Sequence, residues 1–131
     1  MDRFRFVVMP ERLAIARQAA GRPIPEWARG SFVTISQTPA ELSVVCAQRH
    51  VPADVQQERD KVGLCIDGVV PMTSVGILAE LCTALAAAKV PVFAISTYDT
   101  DYLLVSADKF AGAREALESL GHSIRGELPA D

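Results

Sequence analysis

The sequence predicts an α+β fold built in two halves. Three observations lead there. Half of the 131 residues are apolar and 22% are charged, which is enough apolar side chain to bury a core. Most of the chain consists of short β-rich runs punctuated by proline and glycine. Helical periodicity is clear only in the second half, which runs strand–helix–strand–strand–helix and then a short strand.

The first half opens on Arg3-Phe4-Arg5-Phe6-Val7-Val8-Met9, which alternates and then turns apolar, as a strand does. Leu13-Ala14-Ile15-Ala16-Arg17 is a second short strand or a helical turn, and periodicity does not decide between them. Residues 21–30 hold two prolines and two glycines around Trp27 and read as a loop. Residues 31–36 and 42–46 are β-rich and flank the turn Thr38-Pro39-Ala40-Glu41, where proline pre-sets φ. Residues 49–61 are polar and loop-like, with a helical turn at 53–57 as an option.

In the second half, residues 62–67 read as a strand, 68–74 as a loop, and 75–89 as a helix with Ile77, Leu78, Leu81, Leu85 and Ala88 on one face. Thr73 or Ser74 is the expected N-cap, because a hydroxyl there accepts from a first-turn N–H. Residues 90–96 and 102–105 are strands joined by the polar turn 97–101. A last helix opens at 106–108, turns Phe110, Ala113, Leu117 and Leu120 inward and ends on Gly121, before a short strand at Ser123-Ile124. The strand and helix order is βαββαβ, that of ferredoxin-like folds.

Sliding the chain against itself by 60 residues lays Val33-Thr34-Ile35-Ser36 on Phe93-Ala94-Ile95-Ser96, Glu41 on Asp101, and Phe4 and Phe6 on Leu64 and Ile66. The two halves then divide at 1–61 and 62–131. The first copy is degenerate. The place of helix 75–89 falls on 16–29, where Gly21, Pro23 and Pro25 stand and each interior proline costs about 3 kcal/mol.

The chemistry-bearing residues are sparse. Net charge is −3, which argues against a nucleic-acid partner. No apolar run approaches the roughly 18 residues a membrane helix needs, and the N-terminus lacks a signal-peptide core, so a cytoplasmic protein with no membrane partner is expected. Cys46, Cys65 and Cys82 are widely spaced in apolar surroundings and read as small hydrophobes. His50 and His122 are isolated, so neither a metal nor a cofactor is expected. An enzyme would have to draw on Asp99, Asp101, His50 or Cys46. No G-x-S-x-G, phosphate loop, G-x-G-x-x-G or H-E-x-x-H accompanies them, and the chain is read as non-catalytic.

The segments Thr73-Ser74-Val75-Gly76-Ile77-Leu78 and Phe93-Ala94-Ile95-Ser96-Thr97-Tyr98-Asp99-Thr100-Asp101-Tyr102-Leu103-Leu104-Val105 resemble the ACT domains of small bacterial proteins related to CASTOR-type arginine sensors. Pro25-Glu26-Trp27-Ala28 and residues 38–46 resemble the N-terminal half of the same family. The resemblance spans nearly the whole chain. It implies two ACT-like subdomains of βαββαβ type with the first degenerate, a regulatory role through binding of a free amino acid, a homodimer and a target enzyme. ACT modules of this kind also carry feedback inhibition in aspartate kinases.

The resemblance places the ligand on Thr73, Ser74, Val75, Gly76, Ile77, Thr97, Asp99 and Asp101. Physical chemistry agrees with that placement. Unpaired N–H groups at a helix start suit a carboxylate, Gly76 lets a ligand approach the backbone, and Asp101 or Asp99 can accept from an ammonium. The bland readings stand beside it: a helix-start glycine, two capping hydroxyls and a solvated hairpin turn. Arginine sensors need further acidic groups, and Pro71-Met72-Thr73-Ser74 holds none, so a smaller or more apolar amino acid is equally compatible. The competing reading is an interaction or structural subunit of an amino-acid-metabolic enzyme that has lost its ligand.

Overall fold

The computed structural model describes residues 3–131. Eight strands and two α-helices follow in the order β1 (Arg5–Val8), β2 (Leu13–Ala19), β3 (Thr34–Gln37), β4 (Glu41–Ala47), β5 (Gln56–Ile66), α1 (Ile77–Ala87), β6 (Phe93–Ser96), β7 (Asp101–Ser106), α2 (Phe110–Ser119) and β8 (Ser123–Arg125). Single 3₁₀ turns at Gln48–His50 and Ala107–Lys109 follow β4 and β7. The α+β class and the βαββαβ order of the second half are as the sequence predicts.

Two compact units result. One holds Val62–Leu128 together with the chain up to Met9; the other holds Pro10–Lys61 and Pro129–Asp131. The chain passes from one unit to the other after Met9, Lys61 and Leu128. β1 belongs to the C-terminal unit, antiparallel to β5 through Phe6↔Ile66 and Val8↔Leu64 and parallel to β8 through Phe6↔Ile124. The reason is side-chain demand: Phe6 and Val8 point into the core that α1 and α2 cover, where Val62, Leu64, Ile66, Leu81, Leu85, Leu103, Val105 and Leu117 are also buried. Alternate positions of β1, β5 and β7 thus face one helical layer, as period-2 patterning requires.

In the N-terminal unit, β3, β4, β2 and the first half of β5 form an antiparallel array with no α-helix. No α-helix forms where Pro23 and Pro25 stand. Trp27 and Ala28, from the proline-rich loop, pack against Ala14, Ala16, Leu42, Val44, Cys46 and Val51 instead. Residues 13–17 are resolved as a strand. The polar stretch read as loop is half strand: Gln56–Lys61 pair with β2, and the 53–57 helical turn is not formed. A register shift between Leu13 and Ile15 accompanies a left-handed Asp60 at φ 58. Buried Gln48 holds that position. Its Oε1 accepts from the Asp60 N–H at 2.6 Å, and its Nε2 donates to Asp60 Oδ1 at 3.1 Å.

The two hairpins that the 60-residue offset aligned share a turn geometry, at an offset shifted by one. The turn Thr38–Glu41 closes with the Thr38 N–H on the Glu41 carbonyl at 3.0 Å, and the turn Thr97–Thr100 closes with the Thr97 N–H on the Thr100 carbonyl at 2.9 Å. The register pairs Thr34↔Val45 and Phe93↔Leu104 are then equivalent at an offset of 59 (93 minus 34), not 60. Leu42, rather than Glu41, is the counterpart of Asp101.

Candidate functional site

The α1 start is built differently from the expectation. Its N-cap is Gly76 in the left-handed region at φ 85, with no side-chain capping hydrogen bond, so neither Thr73 nor Ser74 caps the helix. Residues 72–73 form a turn instead, closed by the Ser74 N–H on the Pro71 carbonyl at 3.0 Å. Glycine suits the cap because an L side chain there would cost about 1–2 kcal/mol. The space where its Cβ would lie is open. The helix consequently begins at Ile77 rather than Val75, with the Glu80 N–H on the Gly76 carbonyl at 3.0 Å. The N–H groups of Ile77, Leu78 and Ala79 precede that bond and have no partner within the helix.

A cleft of about 520 Å³ opens at this point. Residues 70–72 and the helix start form one wall, and the β6–β7 hairpin end forms the other. A hydrogen bond from the Val70 N–H to the Asp99 carbonyl, 2.6 Å, ties the loop to the hairpin turn. Buried Thr100 anchors the turn from below by donating to the Ile66 carbonyl of β5 at 2.8 Å. The four-residue turn puts Ser96 opposite Asp101, and the Ser96 hydroxyl donates to Asp101 Oδ1 at 2.6 Å. The half-buried Asp101 carboxylate is thereby oriented at the cleft. Just behind it, Tyr102 hydrogen-bonds Thr97 and Cys65, and burial raises both the tyrosine hydroxyl and the Cys65 thiol above their ordinary values.

Of the residues expected at the site, Ser74, Gly76, Ile77, Thr97 and Asp101 line this cleft. Thr73, Val75 and Asp99 do not line it: Thr73 and Val75 are exposed on the loop, and the Asp99 carbonyl is taken up by the Val70 N–H. Val70, Met72, Leu78, Ser96, Tyr98 and Thr100 line it unannounced. Ser96 was recoverable from the sequence, since a turn of four residues sets 96 against 101.

The other titratable candidates lie elsewhere. Cys46 is buried in the N-terminal unit, where burial raises its thiol pKa. His50 lies 3.5 Å from an Arg29 guanidinium nitrogen, and desolvation with Arg29 and Arg49 lowers its pKa. His122 is buried between Phe4 and Phe6, with its Nδ1 accepting from the Phe4 N–H at 2.9 Å. Its ring proton is therefore on Nε2, which finds no partner, and burial lowers its pKa. None of these stands in the cleft.

Residues 58–119 match the family model of the ACT domain. An ACT domain therefore occupies residues 58–119. Residues 11–54 match a separate model, described as an N-terminal domain. Among solved structures, the chain is similar to protein Atu0741 from Agobacterium tumefaciens, at 28% identity and a TM-score of 0.91 over 100% of this chain and 99% of that one. VC0802 from Vibrio cholerae, a protein of unknown function, is similar at 17% identity and a TM-score of 0.69, over 88% of each chain. The regulatory subunit of aspartate kinase from Thermus flavus shares the fold at 10% identity and a TM-score of 0.62, over 87% of this chain and 95% of that one. No curated protein matches. The ACT match takes in every residue that lines the cleft. Among the described residues no helix is long and apolar enough to cross a membrane.

Proposed function

We propose that this ACT-domain protein is a non-catalytic regulatory module that binds a free amino acid in the cleft between the α1 start and Asp101. The observation that carries this reading is the polarity of the cleft. One wall supplies helix-start N–H groups left without a side-chain cap, which suit a carboxylate. The other supplies one oriented carboxylate, which suits an ammonium. A zwitterion satisfies both, and no group poised for proton transfer or nucleophilic attack is required. The likeness to aspartate kinase regulatory subunits supports a regulatory output. A ligand acts there by favouring whichever arrangement it binds better.

Calorimetric titration of the ligand-stripped protein with the twenty amino acids tests this. Binding of at least one at millimolar concentration or below, lost in Asp101→Asn, is expected. No heat and no thermal shift with any of them sinks the reading.

A second reading is favoured by one observation: Val69, Met72, Val75 and Tyr98, at the cleft or on the loop beside it, are 72–94% exposed. Apolar side chains so placed suit a protein partner, either a second copy or a target enzyme. In that reading the module is an interaction subunit. A stable partner complex indifferent to amino acids would favour it, and light scattering at 14.1 kDa would exclude the homodimer.

A further inference from the structure

The cleft's walls say more than its two polar ends. Between those ends the uncharged lining includes Val70, Pro71, Met72, Ile77, Leu78 and Tyr98, beside the small hydroxyl residues Ser74, Ser96, Thr97 and Thr100. Among the described lining residues, Asp101 is the one charged side chain. Val70, Ile77 and Leu78 are half-buried and also pack on the core shared by α1 and the strands, so they form a firm floor. Met72 and Tyr98 are 74% and 82% exposed, and they stand on two different segments, the loop before α1 and the hairpin turn. Both have apolar surface left to remove from water when something fills the space between those segments.

We infer that the ligand of this site is an amino acid with an uncharged apolar side chain, of the size of leucine, isoleucine, methionine or phenylalanine. This rests on the amino-acid-binding reading above and narrows it. The argument is one of charge accounting. Asp101 is a single carboxylate, and the α-ammonium uses it. A guanidinium or a second ammonium would enter an apolar wall with no counter-ion of its own, which is a costly burial. An acidic side chain would find no cation in the lining and would face Asp101. An apolar side chain loses nothing polar and gains by covering Met72, Ile77, Leu78 and Tyr98. At about 520 Å³ the cleft has the volume of an ordinary small-molecule site and is larger than glycine or alanine can fill.

Titration of the full chain with leucine, isoleucine, methionine, phenylalanine, glycine, arginine, lysine and glutamate tests the inference. At least one of the four apolar ligands should bind about tenfold or more tighter than glycine, since even one methylene in an apolar pocket is worth about tenfold. Arginine, lysine and glutamate should each bind at least about tenfold more weakly than that ligand. Arginine, lysine or glutamate binding as tightly as the best apolar ligand would overturn the inference while leaving the amino-acid-binding reading standing. Glycine binding equally well would do the same. No binding by any of the four apolar ligands would overturn the inference, and no binding by any of the twenty amino acids would remove the broader reading with it. Met72→Glu adds a second check, because so exposed a side chain is replaceable without disturbing the core. The variant should lose affinity for the apolar ligand and gain it for arginine, and an unchanged ranking counts against a side-chain subsite at Met72.

Discussion

The β3–β4 and β6–β7 hairpins turn in the same way and lead to different ends. Each closes through a threonine, Thr38 or Thr97, whose N–H and Oγ1 both reach the carbonyl three residues on. Each is followed by a 3₁₀ turn. Beside β6–β7 stands a helix that starts without a side-chain cap; beside β3–β4 runs a loop holding Pro23 and Pro25, with Trp27 packed on the sheet. The aligned position carries Asp101 in one hairpin and the buried Leu42 in the other. A smaller cleft of about 380 Å³ does occur at the N-terminal turn, but its lining lacks a helix start. A hairpin is thus a local structure that the turn residues specify. The proposed zwitterion site uses two further things that the N-terminal hairpin lacks: a helix start to present N–H groups, and a carboxylate at the position aligned with Asp101, where Leu42 stands and Glu41 is one residue earlier.

Exchanging the two aligned residues breaks the comparison most directly. Leu42 is 1% exposed, so Leu42→Asp buries an unpaired charge and should destabilise the N-terminal unit by about 3 kcal/mol or more in urea titration. The reciprocal Asp101→Leu should leave the fold standing and lower amino-acid affinity by roughly tenfold to a hundredfold in calorimetry, the worth of one charge-assisted hydrogen bond. Gly76→Ala places an L residue at φ 85 and should cost about 1–2 kcal/mol of stability, read as a lower denaturant midpoint.

The helix ends sharpen the comparison, because only the C-terminal unit has them. Both α1 and α2 end in the same motif. Lys89 and Gly121 donate to the carbonyls of Ala86 and Glu118, and Val90 and His122 donate to those of Leu85 and Leu117. Lys89 stands left-handed at φ 60 where its counterpart is glycine. Lys89→Gly should raise the melting temperature, by an amount equivalent to about 1 kcal/mol or less.

His122 takes the buried place that Val90 fills after α1. Burial lowers its pKa from 6.5 in the folded state, outweighing the opposing influence of Glu80 and joined by that of Arg3. The unfolded chain therefore binds more protons below that value, and stability should fall as pH drops through about 6.5 toward the folded pKa. His50, lowered in the same sense, adds a part. His122→Gln keeps an acceptor for the Phe4 N–H and removes the titrating ring, so thermal melts from pH 7.5 to 5 should show a flatter profile.

Much of the C-terminal unit was legible in the residues. The alternation Val62, Leu64, Ile66 and the spacing Leu81, Leu85 declare a strand face and a helix face that meet in the core. Gly121 was recognisable as a helix terminator, and it takes φ 95. The candidate site was legible to the extent that Ser74, Gly76, Ile77, Thr97 and Asp101 share one cleft. Thr73 and Ser74 misled because a hydroxyl before a helix usually caps it, whereas Gly76 held left-handed sets the start two residues later. The strand at Gln56–Lys61 was hidden because it is polar, and its pairing with β2 supplies the hydrogen bonds that no local pattern announces.

By itself, then, the sequence determined the secondary-structure order of the C-terminal unit, the break in helix at Pro23 and Pro25 of the N-terminal one, and the turn that brings Ser96 against Asp101. These depend on side chains within a few residues of one another: apolar period, proline geometry, turn chemistry. Tertiary structure alone decided that β1 lies between β5 and β8, that the repeat runs at 59, and that Met72, Leu78 and Tyr98 line the cleft with Asp101. Alternation tells which face of a strand is buried and is silent on which neighbour it pairs with. That choice is made by the long-range burial of residues such as Phe6 and Val8, whose partners lie more than fifty positions away.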